Sequence, residues 1–551
     1  MSNHIESLLD RVLAKIHKSL LIEKPSKLTC KERDFLQDTP QIALLLITRL
    51  TQEPHERAYQ EACLELLSQA LELVRYNYER DEVWAVRLYN QIDKALQTNI
   101  AFLPREVLAG IFTAFYEARL ELPSGFKEAS LEAMSHDGHP PVSSLEEMRT
   151  YVDSLIESFF DDRPNLTPFE LSDVLFQVLN SAGHESVDLM IDRLTESPRT
   201  TANEAAILFL LHPTKIMREH ALDAIKRSYE KQTLTPLSLR RLVTIRQWWP
   251  ADERAPLDHF IALQRKQGVG FSEIKPKLTV HYEASMVDGA GVQLILFEVQ
   301  EGTLYRIGGL LLKDAVGVRD AWMIPNLISK KELRTYRKKM KSEHPLTLNP
   351  ISEDYVVRII SHYLALNNAH HETPEPALLD IYEYLGESAW RAESLNFKAC
   401  LSELFQTLTP TQKSTEGISE SLQRSGDWMF HEDFTFTWFE TSASIDAMIN
   451  RHTTLHKGKQ NTQFEKALEE LCTQGFESVR EKWMMLFLWM ALMEKSMPAS
   501  NPNLLWKDFV VLAYVLEQGQ PMQSIPLMQH MANRSLTISV DSLYERGGYL
   551  L

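Results

Sequence analysis

Apolar side chains recur at helical spacing from the start of the chain. Ile5, Leu8, Leu9, Val12, Leu13 and Ile16 fall at i, i+3, i+4, i+7, i+8 and i+11, one face of an α-helix. Tyr59, Cys63, Leu66, Leu67, Ala70 and Val74 repeat the pattern. Helix starts are marked by capping chemistry. Thr167-Pro168-x-Glu170 supplies a capping hydroxyl, a proline suited to the first turn and a glutamate that reaches back to the cap. Thr409-Pro410-x-Gln412 repeats this grammar, Thr235-Pro236 repeats part of it, and Ser144-x-x-Glu147 is a plain capping box. Between 202 and 266 the predicted helices are short and closely spaced: 202–211, 214–231, 236–248 and 256–266. An amphipathic helix this short cannot bury its apolar stripe alone, so the pattern predicts antiparallel pairs stacked side by side.

The period changes at about residue 278. Leu278, Val280, Tyr282, Ala284 and Met286 alternate with Thr279, His281, Glu283 and Ser285, the signature of a half-buried strand. Residues 287–291, VDGAG, read as a turn, 292–299 as a central strand, Glu301-Gly302 as a second turn and 304–312 as a third strand. The expectation is a three-stranded antiparallel meander followed by a helix over 329–341. Beyond Pro350 the helical period returns and runs to about Arg534. It is interrupted at 427–440, DWMFHEDFTFTWFE, which reads as an aromatic extended segment. Pro- and Gly-bearing stretches at 122–143 and 407–417 are linker candidates. The domains expected are 1–122, 144–267, 271–345 and 350–551.

One helical stretch carries a further pattern. In residues 212–225, HPTKIMREHALDAI, Met217 and Arg218 open a helix, and Ala221 and Ala224 leave room for a neighbour. This resembles the turn and second helix of a HEAT repeat. His212 departs from it, because an aspartate is usual at that turn. The resemblance implies an α-solenoid, and solenoids of that type present concave surfaces to protein partners. The fold class expected is therefore mainly α, with HEAT-like helical pairs, a small β-meander insert and a helical C-terminal region.

Composition narrows the setting. Apolar residues make up 44% of the 551 residues and charged residues 24%, ordinary globular usage that excludes a disordered acidic chain. Lys+Arg is 58 and Asp+Glu is 75, a net charge of −17, so detectable nucleic-acid binding is not expected. The four cysteines, Cys30, Cys63, Cys400 and Cys472, form no CxxC pair and suit a reducing cytoplasm. Charges at Glu6, Asp10, Arg11 and Lys15 break any signal-peptide core. The longest apolar run, 483–493, is too short for a bilayer, which needs about 20 residues. It reads as a buried core helix, and no membrane residence is expected.

No phosphate-binding glycine loop, zinc-protease helix, nucleophile elbow or calcium loop is present. No cofactor and no metal are called for. Asp288 in the first meander turn, with Asp314 and Asp320 beyond the third strand, lies beside glycines where a site can form. With His281 and Glu283 these carboxylates are the candidate acid–base or metal-binding groups. The simpler reading of Asp288-Gly289 is a hairpin turn. In 330–341, KKELRTYRKKMK, Lys330, Arg334, Lys338 and Lys341 share one helix face and are the anion-binding candidates. The alternative is that these cations answer the protein's own acidic surface. His136 and His139, and the adjacent His370 and His371, lack zinc spacing, and neighbouring histidines on a helix point about 100° apart. The Trp- and Met-rich C-terminal third reads as core or as a groove for a partner helix. The reading drawn is a non-enzymatic interaction scaffold with a protein partner. The alternatives are a hydrolase or transferase using the meander carboxylates, and a polyanion binder using the 329–341 helix.

Overall fold

The structure, a computed structural model, describes residues 2–21, 29, 32, 35–36, 39–52, 56–78, 83–100, 103–118, 120, 122–123, 125–126, 129, 145–163, 165–179, 184–230, 233–270, 272, 277–324, 326–343, 347–431, 433–440, 443–456, 459–498 and 505–545. The fold is mainly α with a small antiparallel sheet in mid-chain and a helical C-terminal region. The chain divides into two compact units, one of Met1–Leu166 with Asp173–Arg193 and one of Thr167–Ser172 with Leu194–Leu551.

The first unit is helical where it is described. Its helices include Ser2–Leu21, Ile42–Gln52, Arg57–Tyr78, Val83–Asn99, Arg105–Glu117 and Leu145–Asp162. The apolar faces read from the sequence meet in its core: Leu9, Val12, Leu13 and Ile16 pack with Cys63, Leu66, Leu67, Ala70 and Val74. The capping box expected at Ser144, the linker residues 130–143 and the pair His136 and His139 lie outside the described residues.

In the second unit the closely spaced helices are Thr200–Leu208, Lys215–Ser228, Pro236–Trp248 and Arg254–Lys266. The first packs on the second and third, and the third packs on the fourth. Met217, Ala221, Ala224 and Ile225 are buried, as the pairing requires. The His212 ring takes part in the turn before this helix. The Thr214 amide donates to His212 Nδ1 at 3.1 Å. The predicted caps form: Thr235 Oγ1 accepts from the Ser238 amide, and Thr409 and Gln412 close a reciprocal box.

The sheet corrects the expectation of three strands, for it has six. β1 is Val280–Ser285, β2 Val292–Glu301, β3 Leu304–Lys313, β4 Gly317–Met323, β5 Ile328–Ser329 and β6 Leu348–Ile351. The order is β4-β3-β2-β1-β6, with β5 also on β3, and all pairs are antiparallel. The predicted strands β1 to β3 form a meander, with Asp288 at the first turn and Gly302, at φ +63°, in the second. β4 escaped the period-2 reading because of a bulge. Leu311 faces Asp320 and Leu312 faces Val318, so Arg319 is extra and the alternation breaks. β6 is a four-residue edge strand containing Pro350, which an edge tolerates.

Tyr282, Ala284, Ile295, Phe297, Val299 and Leu310 form the buried face of the sheet. The Glu353–Ala369 helix packs against β3 and β4, and Tyr355 from it donates to Gln293 Oε1 at 2.8 Å. The Arg480–Ser496 helix, which carries the long apolar run, is a core helix, with Trp483 and 486–494 buried. The reading of 427–440 as extended is wrong. The Thr415–His431 helix runs through Trp428, and a short helical turn, Asp433–Thr437, follows. The buried face of that helix is Ser421, Leu422, Ser425 and Trp428, so two small polar side chains hide its period. Helix also continues past Arg534 to Glu545, and a hairpin of Thr453–His456 and Lys459–Thr462 was not anticipated.

Candidate functional site

The two turns at one end of the sheet bring Asp288 and Asp314 toward each other. Asp288 Oδ1 accepts from the amides of Ala290 and Val292 at 2.9 and 2.8 Å, so this carboxylate builds its own turn. Gly291 follows at φ +71°, and a Cβ there would lie 2.6 Å from the Asp314 Cβ; only glycine lets the two loops close. The Asp314 amide donates to the Gly291 carbonyl at 2.9 Å. Behind them Tyr363 is fully buried, and burial, with the charges of Asp314, Tyr355 and Asp288, drives its hydroxyl far up. Burial also raises the Asp314 carboxyl, against the opposing pull of Lys482 and His370. Lys482 is itself paired with Glu440, at 2.6 Å.

This arrangement has a direct consequence for stability. The folded Asp314 carboxyl holds its proton to a higher pH than the unfolded one, whose ordinary value is 3.8. Its contribution is therefore fully present below that value and is lost as pH rises through the raised one. Asp314→Asn should raise rather than lower the melting temperature at pH 7 and should flatten the stability–pH curve in that window. A pH series of melts on the two proteins checks it; a lower melting temperature at neutral pH would show that the ionised carboxylate is needed.

The other candidates lie elsewhere. His281 and Glu283 are on β1, with His281 Nε2 3.7 Å from Glu283 Oε1. Glu283 is held by Arg337, whose Nη2 is 2.8 Å from Glu283 Oε2 and whose Nε is 2.5 Å from Glu298 Oε1. Asp320 sits on β4, three strand spacings and roughly 14 Å from β1. The five carboxylate and imidazole candidates thus form no single constellation. Arg337, which came from the basic run but was not singled out, is the residue that claims Glu283.

The basic run forms the Lys330–Glu343 helix. Its start is fixed by a capping box of Ser329 and Glu332. The Ser329 amide donates to Glu332 Oε2 at 2.8 Å and the Glu332 amide to Ser329 Oγ at 3.3 Å. Leu333 is buried, the Tyr336 ring meets Trp322 and Arg337 reaches Glu283 and Glu298, so one side of the helix is pinned to the sheet. Lys330, Lys331, Arg334 and Lys338 are exposed, and among the described residues none of them makes an ion pair. The side chain of Lys341 lies outside the described residues.

A third polar centre was only half legible. Arg218, completely buried, sends Nη1 to the carbonyls of His212 and Pro213 at 3.0 and 2.8 Å. Its Nη2 donates to Glu253 Oε2 and the His371 carbonyl at 2.9 and 3.0 Å. His371, at φ +57°, ends the Glu353–Ala369 helix, and its Nδ1 is 3.4 Å from Glu253 Oε1. Burial alone would raise the Glu253 carboxyl; the hydrogen bond and charge of Arg218, helped by His371 and Lys215, hold it below the ordinary range. Asp252, Glu253 and His371 have ligand atoms within 4.8 Å of one another. Two cations already occupy that carboxylate, Arg218 at 2.9 Å and Lys215 at 3.5 Å, so the group is neutralised from within. The two histidines lie past the end of the helix rather than on it, His370 in the field of Asp314 and His371 on Glu253.

Large apolar side chains also reach the surface. Phe430 is 68% and Phe436 74% exposed. Both sit on the Pro526–Glu545 helix: the His530 ring packs edge-on against Phe430 at 5.1 Å, and the Arg534 guanidinium lies over Phe436 at 5.6 Å. His530 and Arg534 are one turn apart, so the two phenylalanines share one helix face. Of the aromatic-rich third, the tryptophans Trp428, Trp438, Trp483 and Trp489 are core. No described helix is long and apolar enough to cross a membrane.

Comparison with known proteins reaches only parts of the chain. Residues 184–268 match the family described as the Y4lR second domain. Residues 398–540 match the one described as the Y4lR C-terminal helical domain. The sheet and the basic helix lie between the two matched segments. No curated protein and no solved structure matches the chain.

Proposed function

We propose that the protein is a non-enzymatic interaction scaffold of α-solenoid type, whose packed helices hold surfaces for a protein partner in the cytoplasm. The observation that carries this reading is the pair Phe430 and Phe436, exposed beside Arg534 and His530. Aromatic side chains with an arginine are what the centres of protein interfaces are rich in, and leaving two phenylalanine rings in water is unfavourable unless something covers them. The HEAT-like turn at 212–225 supports the solenoid form. The unbridged thiols of Cys63, Cys400 and Cys472 support a reducing compartment. Two of the four carboxylates weighed for catalysis have other work: Asp288 shapes its turn and Glu283 balances Arg337.

Capture from native-host lysate on the immobilised full chain tests this. The wild type should retain a partner in stoichiometric amount. Phe430→Ala/Phe436→Ala should melt within about 1 °C of it, since exposed positions tolerate truncation, and should lose the partner. Failure of the wild type to retain any stoichiometric partner would end the scaffold reading. Equal retention by the double variant would move the interface elsewhere on the molecule.

A further inference from the structure

We infer that the outward face of the Lys330–Glu343 helix is a docking surface for an acidic helical segment of a partner protein, separate from the aromatic patch. The helix is clamped on one side by Leu333, Tyr336 and Arg337, so its free cations are held in a fixed row. Lys330, Arg334 and Lys338 repeat every fourth residue over about 12 Å, with Lys331 beside them. Lys330 and Lys331 stand in the first turn, at the positive end of the helix dipole, where cations weaken a helix and carboxylates strengthen it. Glu332 is the one acid of that turn, and its carboxylate is engaged with Ser329. Among the described residues no acid forms an ion pair with Lys330, Lys331, Arg334 or Lys338, although the chain carries a net charge of −17. Arg337 turns inward, to Glu283 and Glu298.

The size and surroundings of the row select the occupant. Three or four cations along two helical turns match carboxylates at the same spacing on a second helix. Nucleic acid or an anionic membrane would need the basic surface to continue onto other elements. Here the strands beneath carry Glu283 and Glu298, and the whole chain is acidic.

Fluorescence anisotropy on the full chain tests the inference. The probe is a labelled alanine-based helical peptide with glutamates at i, i+4 and i+8; its glutamine counterpart is the control. At about 50 mM salt the acidic peptide should bind and the control should not, and binding should weaken at about 200 mM as screening grows. Lys330→Glu/Arg334→Glu/Lys338→Glu should bind about tenfold or more weakly. The corresponding triple glutamine variant, which adds no new charge, should also be weakened, and both should keep the wild-type circular dichroism. Phe430→Ala/Phe436→Ala should bind the peptide like the wild type, so the two surfaces succeed or fail separately. Equal binding of both peptides, or binding indifferent to the triple glutamine change, would overturn the inference. Tighter binding of an oligonucleotide or of vesicles containing an anionic lipid would overturn the choice of a protein segment.

Discussion

Arg218→Met should destabilise the protein by about 3–5 kcal/mol, the largest loss expected from a single change of side chain at nearly constant length. The guanidinium is completely buried and binds three carbonyls and one carboxylate. Methionine fills the space but leaves Glu253 without its main partner, in a position where burial disfavours its charge. It also leaves the carbonyls of His212, Pro213 and His371 without this donor. Lysine should not rescue the loss, because a single ammonium cannot replace the two-sided fork. Adding Glu253→Gln to the methionine variant should recover part of the stability by removing the stranded charge. Urea unfolding followed by tryptophan fluorescence reads all three variants. A loss below about 1 kcal/mol would mean that water or backbone movement satisfies these groups without Arg218.

Ala221→Asp should cost a similar amount, about 3–5 kcal/mol, for a different reason. Ala221 is completely buried where the Lys215–Ser228 helix meets its neighbours, between Met217 and Ala224 on the same face. A carboxylate there is taken out of water on the face that also buries Met217, Ala224 and Ile225. The control lies two residues on. Asp223 is exposed and pairs with Lys226 at 3.2 Å, so Asp223→Ala should change stability by no more than about 0.5 kcal/mol. Equal effects at 221 and 223 would contradict the assignment of the buried face.

The unequal legibility of these features in the sequence has physical causes. Helical faces such as Leu9, Val12, Leu13 and Ile16 announced themselves because their period is carried by large apolar side chains. The Thr415–His431 helix did not, since Ser421 and Ser425 occupy its buried face. The first strand alternates and the next two are mostly apolar runs bounded by glycine turns, whereas the bulge at Arg319 and the proline in β6 removed the signal from two more. Asp288 as a turn residue was evident from the glycine that follows it. The pairing of Glu283 with Arg337, 54 positions away, is written nowhere in local sequence. Arg218 was visible as the arginine of a HEAT-like turn, but its partners Glu253 and His371 come from segments 35 and 153 residues distant. Exposure of Phe430 and Phe436 depends on how the last helices pack, so an aromatic-rich string could be read only as core or groove.

Hydrogen exchange on the full chain, alone and with the partner captured from lysate, addresses the scaffold reading most directly, because it locates the working surface without presuming the partner. The account predicts that amides of 428–437 and 526–537 gain protection in the complex while those of 288–291 and 314–317 exchange as before. Protection gained only at the two sheet turns, with the aromatic patch unchanged, would contradict it and return the function to Asp288 and Asp314.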